Sequence, residues 1–307
     1  MNLAQIYIVG AGAIGKTLAV LLVNEGRKVT LLRRPTDNEN HSPLLIQLNI
    51  SDERILTAEV PVISLSSKEI LDGIVVIATK SFANTEIAAS LFRRAGNSPV
   101  VIMQNGLNVE QPFIDAGFKN IYRCVLFATS ANMDDNTVRY KAVVPSPIGI
   151  IKGDGADLEP IVLQLTTNAF AFRSEPSIAD FIWKKTIINS VFNSVCPLLD
   201  CDNGIFHRNV QAMEIAKSVI NEGVSIAQAS GIHLRQSDVE STLLDISCRS
   251  DGQLISTLQD IHNGRPTEID SMNVEIVRIA EKLNKAGIVI HTNLLGQLTR
   301  LKAAFNR

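Results

Sequence analysis

Three polar residues in one helical stretch offer the clearest chemistry in this sequence. Lys185, Asn189 and Asn193 stand at i, i+4 and i+8 within Trp183–Asn193. At 3.6 residues per turn they drift by only ~40° per step, so they share one face. Their neighbours Ile182, Ile188, Val191 and Phe192 are apolar. Solvated helix stripes usually carry Glu and Lys, whereas asparagine is a poorer helix former. One amine and two amides beside an apolar face are therefore unusual for a solvated stripe and mark a candidate site. A plain solvent-exposed stripe is the competing reading, and Lys184, one position round, reads as a surface residue. Further on, Ser256-Thr257-Leu258-Gln259-Asp260 precedes Pro266-Thr267-Glu268-Ile269-Asp270. Thr267 with Asp270 forms a capping pattern, and Glu268 reads first as a first-turn carboxylate favoured by the helix dipole.

A second kind of chemistry sits near the start of the chain. Val9-Gly10-Ala11-Gly12-Ala13-Ile14-Gly15 is a complete G-x-G-x-x-G. It follows the apolar run Ile6–Val9 and opens a helical pattern from Ala13 to Glu25, the context that makes the motif specific for a dinucleotide. Gly10 allows the tight turn, Gly12 lets the backbone approach a pyrophosphate, and Gly15 lets helix pack on strand. The N–H groups of Ala13 and Ile14 lie at the helix start, where a phosphate binds. The next strand, Lys28–Leu32, ends in Arg33-Arg34. An NAD site usually has Asp or Glu there; a guanidinium instead pairs with a 2′-phosphate. The expected cofactor is NADP(H), with Arg33 the better candidate and Arg34 a backup. Lys80 and Asn105 follow two further apolar runs, Ile74–Ala78 and Val100–Met103, on the edge where such sheets bind ligands. Taken alone, Lys80 is a surface lysine and Asn105-Gly106 a common turn.

These residues need elements to position them. The first half alternates short apolar runs with helical patterns. Strands are expected at 6–9, 28–32, 44–50, 54–57, 60–64, 74–78, 100–103 and 122–128, with a helix over 82–94. That alternation implies βαβ units and a mostly parallel sheet. From Ile178 onward the patterns are helical, over 178–195, 207–230, 236–248, 253–261, 267–285 and 292–304. Ser174-Glu175-Pro176-Ser177 is the junction. The expected fold is α/β, with an N-terminal Rossmann dinucleotide-binding domain over 1–175 and an all-α substrate-binding and catalytic domain over 176–307.

Composition narrows the partners. The chain has 307 residues, 46% hydrophobic, and a formal charge of −2. Near-neutral charge gives no reason to expect nucleic acid or an anionic membrane surface. No apolar run reaches the length of a membrane span. The four cysteines, Cys124, Cys196, Cys201 and Cys248, have no zinc spacing, so no metal is expected, and they suit a reduced, cytoplasmic protein. The helical domain could offer a homodimer face.

Together these residues resemble the ketopantoate reductase (2-dehydropantoate 2-reductase) family. The resemblance rests on the glycine fingerprint, Arg33, Lys80, Gln104-Asn105-Gly106, the Trp183…Lys185…Asn189…Asn193 helix, Asn203-Gly204, and Ser256…Leu258-Gln259-Asp260…Thr267-Glu268-Ile269-Asp270. It implies NADPH-dependent reduction of 2-dehydropantoate to (R)-pantoate, in pantothenate and coenzyme A biosynthesis. Lys185 would then be the general acid. Glu268 would orient this machinery beside the cofactor and bond a substrate hydroxyl. Asn189 and Asn193 would hold the substrate's polar groups and Ser256 its carboxylate. Asn105 would stand between nicotinamide and substrate, while Arg33 and Lys80 would favour the 2′-phosphate. The segment 127–150 departs from the glycine-rich strand-turn-strand that many members show. Two other readings remain: a related reductase of another 2-oxo acid or of an imine, as in opine-type dehydrogenases, and a non-catalytic NADP(H)-sensing protein. Lys185 and Glu268 argue against the sensor, which needs no proton donor.

Overall fold

The computed structural model describes residues 4–33, 42–66 and 70–306, so Arg34 lies outside the described residues. The chain forms two compact units. One runs to Gln104 and resumes over Glu110–Ile178; the other comprises Asn105–Val109 and Ala179–Arg307.

The first unit contains strands β1 (Ile6–Val9), β2 (Val29–Arg33), β3 (Leu44–Ile50), β4 (Ile55–Val60), β5 (Val62–Ser64), β6 (Ile74–Ile77), β7 (Val100–Ile102), β8 (Ile121–Cys124), β9 (Ala128–Asn132), β10 (Thr137–Ala142), β11 (Ser146–Lys152) and β12 (Phe172–Ser174). Its helices are α1 (Ala13–Asn24), α2 (Asn84–Ala95), α3 (Gln111–Asp115) and α4 (Leu158–Leu165). The main sheet has the order β12-β11-β8-β7-β6-β1-β2-β5. Its neighbours are parallel except β11, which runs antiparallel to β8. The central strands are continuous apolar runs because both faces are covered; all four residues of β6 are buried. The strand order reverses beside β1, since the chain goes from β1 to β2 on one side and later returns to β6 on the other. Such a switch point is where open α/β sheets bind ligands.

Four of the strands leave this sheet. β3, β4, β9 and β10 form a second one in the order β4-β3-β10-β9, joined by a parallel β3–β10 pair between two antiparallel hairpins. In β3 the residues Ile46, Leu48 and Ile50 are buried while those between them are not, the alternation of a sheet with one covered face. That face lies on α1, whose residues from Gly15 to Leu22 are all buried. A helix this largely apolar is stable only when enclosed in this way. The run expected as one strand over 122–128 divides between the two sheets, as β8 and β9.

The second unit is helical: α5 (Ile178–Leu199), α6 (Ile205–Arg208), α7 (Val210–Ala229), α8 (Gln236–Arg249), α9 (Ser256–His262), α10 (Asn273–Lys282) and α11 (Ile290–Phe305). α5 is enclosed over much of its length, with Val191–Pro197 buried without interruption. Gly223 on α7 lets the two helices approach: a Cβ there would stand 2.8 Å from Ile187 Cγ1. The helix expected over 267–285 is shorter than its pattern. Ile269–Ser271 is a 3-10 turn, Met272 takes φ −115 and ψ −101, and α10 begins only at Asn273. Thr267 therefore does not cap α10, and Glu268 precedes the 3-10 turn without a side-chain capping bond.

Candidate active site

In the first unit the three glycines do different things. Gly10 has φ +108, and a Cβ there would meet Thr79 Cγ2 at 2.7 Å. Gly15 packs helix on strand: its Cβ would fall 2.0 Å from the Gly10 carbonyl oxygen. A Cβ on Gly12 would meet nothing within 4 Å, so the space above this backbone is open to a ligand. Gly12 also caps α1 without any side-chain bond, and no acid occupies the first turn. The N–H groups around Ala13 and Ile14 and the positive helix end therefore suit a phosphate.

Arg33 closes β2, is partly buried, and accepts a bond at its carbonyl from Leu65 N. Beside it stands a cation that the motif does not announce. Lys16, next after the third glycine, is 5% exposed and donates from Nζ to the Asp135 carbonyl at 2.6 Å. Burial, and then the charge of Arg33, lower its pKa. A lysine in a helical pattern reads as a surface residue; only the fold of the β9–β10 hairpin over α1 encloses this one. Lys80 follows Thr79 at the start of the 3-10 turn Ser81–Ala83, in extended conformation.

Behind that turn lies a buried amide network. Gln104 Nε2 donates to the Thr79 carbonyl at 2.9 Å. Gln104 and Asn84 exchange amide bonds, each 2.7 Å long. The Gln104 carbonyl accepts from Arg123 NH2 at 3.1 Å. In the sequence Gln104 stands out only as part of Gln104-Asn105-Gly106, with no role of its own, and Arg123, an arginine within an apolar run, carries no spacing signal.

In the second unit Asn105 is partly buried at the head of the segment that ends at Val109. Gly106 has φ +100 and lies against Ser271, whose carbonyl accepts from Leu107 N at 2.9 Å. Ser271 N and Oγ donate in turn to the Glu268 carbonyl at 3.1 and 3.0 Å. The turn of Glu268 and the loop of Asn105 thus back onto each other. Glu268 is 8% exposed, a buried carboxylate rather than a solvated helix-end charge.

The stripe on α5 is not a solvent face. Asn193 is 1% exposed, while Lys185 and Asn189 are partly buried. Asn193 Nδ2 donates to the Asn189 carbonyl at 2.9 Å, and Ser256 Oγ reaches Asn193 Oδ1 at 3.4 Å. The structure therefore joins the Ser256 and Asn193 side chains, and ties Asn193 to Asn189 through that residue's backbone carbonyl. Asn203 adds to this set. Its N–H donates to the Gln253 carbonyl at 2.9 Å, three residues before Ser256, and its side-chain carbonyl oxygen is buried without a partner. Buried acceptors are rarely left unmet, so this oxygen suits a hydroxyl donor from a ligand. Among the described residues, no three His, Cys, Asp or Glu side chains gather as a metal site.

The two halves of the chain match two models of one family: "Ketopantoate reductase PanE/ApbA" over residues 6–152 and "Ketopantoate reductase PanE/ApbA C terminal" over residues 177–301. The chain belongs to the ketopantoate reductase family. Among its relatives, 2-dehydropantoate 2-reductase of Pyrococcus horikoshii is 28% identical over 285 residues, covering 91% of this chain and 92% of that protein. The fold of this ketopantoate reductase family member recurs in solved structures. D-mandelate dehydrogenase in a ternary structure with NADH and anilino(oxo)acetate aligns with a TM-score of 0.85 at 22% identity, over 98% and 99% of the two chains. A dimeric ketopantoate reductase from Staphylococcus aureus aligns with a TM-score of 0.82 at 19% identity, over 99% and 100%. The Rossmann-type first unit and helical second unit are those of this family.

Proposed function

We propose that this chain is an NADPH-dependent 2-dehydropantoate 2-reductase, converting 2-dehydropantoate to (R)-pantoate for pantothenate and coenzyme A biosynthesis. The observation that carries the reading is the Lys185–Asn189–Asn193 stripe, set into an otherwise enclosed helix and linked to Ser256. The family match over both halves gives the stripe its context.

The residues of the first unit fit a dinucleotide. The open approach above Gly12, the uncapped start of α1 and the tight Gly10 turn would hold the pyrophosphate, with Arg33 and Lys80 on its phosphate side. When bound, NADPH supplies the hydride. The chain's own work is done by the polar residues of the second unit. Asn189, Asn193 and Ser256 bind the carboxylate and hydroxyl of a compact 2-oxo acid, and Asn203 accepts from a hydroxyl. Lys185 donates a proton to the keto oxygen as negative charge builds there, and its ammonium stabilises that charge beforehand. Glu268, buried, orients this group, and Asn105 offers an amide to the reacting groups. We assign the first unit to the cofactor and the second to substrate and catalysis.

Two wider expectations accompany this reading. No helix among the described residues is long and apolar enough to cross a membrane, and we place the protein in the cytoplasm, where its thiols stay reduced. We also propose a homodimer. α11 exposes Ile290, Leu294, Leu298, Leu301 and Phe305 along one stripe, and the S. aureus relative is described as dimeric. Light scattering on the purified protein would give twice the mass of one chain.

The functional test is Lys185→Ala. It should lower kcat by roughly 10²–10⁴, the usual contribution of a general acid, while NADPH still binds. A fall of less than about tenfold overturns the assignment.

A further inference from the structure

One buried arginine in the first unit has no part in the chemistry above, yet it holds both ends of the loop that carries Asn105. Arg123 lies on β8 and is 1% exposed. Its NH2 donates to the Gln104 carbonyl at 3.1 Å, and its NH1 pairs with the Glu110 carboxylate. Gln104 and Glu110 are the residues on either side of Asn105–Val109. Lysine, a single flexible point charge, cannot span two acceptors in this way, whereas a planar guanidinium fork can. A buried ion pair is weak evidence for stability, because its desolvation offsets its attraction. What this pair does supply is a bridge from the backbone carbonyl of Gln104 to the side chain of Glu110.

The loop between those points needs such fixing. Gly106 takes φ +100, and Asn108 takes φ +55. Asparagine tolerates left-handed backbone better than most residues, and here its side chain holds it in place. Asn108 Nδ2 is anchored to Glu275 Oε1 at 2.8 Å, and Leu107 N to the Ser271 carbonyl at 2.9 Å. The same Gln104 also fastens Thr79, which precedes Lys80. A shift of Gln104 would therefore reach both Asn105 and the Lys80 turn.

We infer that Arg123 is a positioning residue: by bridging Gln104 and Glu110 it fixes the conformation of the 104–110 loop and so the place of Asn105. The inference rests on the reductase reading for Asn105, but the clamp itself does not. Misplacing a reacting group by about 1 Å typically costs a factor of the order of 10² in rate.

The test uses the full chain and two variants. Arg123→Lys keeps the charge pair with Glu110 and loses the bridge. Arg123→Met combined with Glu110→Met removes both charges, so no buried charge is left unpaired and the fold should survive. In both, kcat with 2-dehydropantoate should fall roughly ten- to 100-fold, a larger change than any rise in the Kd for NADPH, read by its fluorescence, that reaches the cofactor through Thr79 and the Lys80 turn. Hydrogen exchange at the amides of residues 104–110 should speed up in both variants. Unchanged exchange in that loop overturns the clamp whatever the activity. Faster exchange with unchanged kcat overturns the positioning role. If the unaltered protein turns over no 2-dehydropantoate, the reductase reading falls instead, and the exchange measurement still decides the clamp.

Discussion

Gly12 and Gly15 stand three residues apart in one motif, yet alanine should act on them in opposite ways. At Gly15 the added Cβ would lie 2.0 Å from the Gly10 carbonyl oxygen, where real contacts do not come under 3.0 Å. α1 would have to move by about an ångström. It cannot move freely, because Leu18, Ala19 and Leu22 are fully buried between the two sheets. Overpacking of this kind costs about 1–3 kcal/mol, and each kcal/mol lowers Tm by roughly 2–4 °C in a unit of this size. At Gly12 the Cβ meets nothing within 4 Å, and φ −77 with ψ −176 suits alanine. Removing that glycine's freedom in the unfolded chain even favours the fold by about 0.4–1 kcal/mol. If the proposed site holds the cofactor, however, the methyl stands in the pyrophosphate's approach. Losing one charge-assisted hydrogen bond, about 1.5–3 kcal/mol, weakens NADPH binding roughly 10- to 150-fold. Thermal denaturation without ligand, paired with an NADPH fluorescence titration, reads both effects. Gly12→Ala should keep or raise Tm and lose affinity; Gly15→Ala should lower Tm as well. A Gly12→Ala protein that binds NADPH like the parent would refute the assignment of that backbone to the cofactor.

Other outcomes follow from the same structure. Arg33→Ala should raise the KM for NADPH by roughly ten- to 100-fold, the worth of a charge-assisted pair, and hardly change that for NADH; equal effects would mean that Arg33 does not touch the 2′-phosphate. Ser256→Ala should raise the KM for the 2-oxo acid by about tenfold or less, the worth of one hydrogen bond, and leave the Kd for NADPH alone; a loss of NADPH affinity would move Ser256 out of the substrate group. Burial pushes the Cys196 thiol well above its ordinary range and raises Cys201 as well. Their reactive thiolates therefore form only as pH rises past those raised values, and iodoacetamide near pH 8 should label the exposed Cys248 first; mass spectrometry showing Cys196 labelled first would contradict the burial.

Much of the candidate site is legible in the sequence because its parts are local. The glycine fingerprint, β1, α1 and the end of β2 lie within one stretch of chain, where spacing maps onto geometry. The stripe on α5 follows from helical periodicity alone. What escaped depends on contacts between distant parts of the chain. β3 and β10 pair across nearly 90 residues of sequence, so nothing local shows that these strands form a separate sheet over α1, or that this sheet encloses Lys16. Pro145 and Pro147 disguise β11, since proline argues against a strand. The Thr267…Asp270 pattern looks like a helix start, yet the segment turns as a 3-10 element so that Ser271 can meet Leu107. Nor does any sequence signal tie Asn105–Val109 to the helical unit, or Arg123 to both Gln104 and Glu110.

The central claim is that this chain reduces 2-dehydropantoate with NADPH. The most direct measurement mixes purified protein, NADPH and 2-dehydropantoate and follows the loss of reduced-nicotinamide absorbance, with NADH and a panel of other 2-oxo acids in parallel. The account predicts fast oxidation with NADPH and 2-dehydropantoate, much slower with NADH or with the other acids. NADPH binding without turnover of 2-dehydropantoate, or a clear preference for another 2-oxo acid, would contradict it.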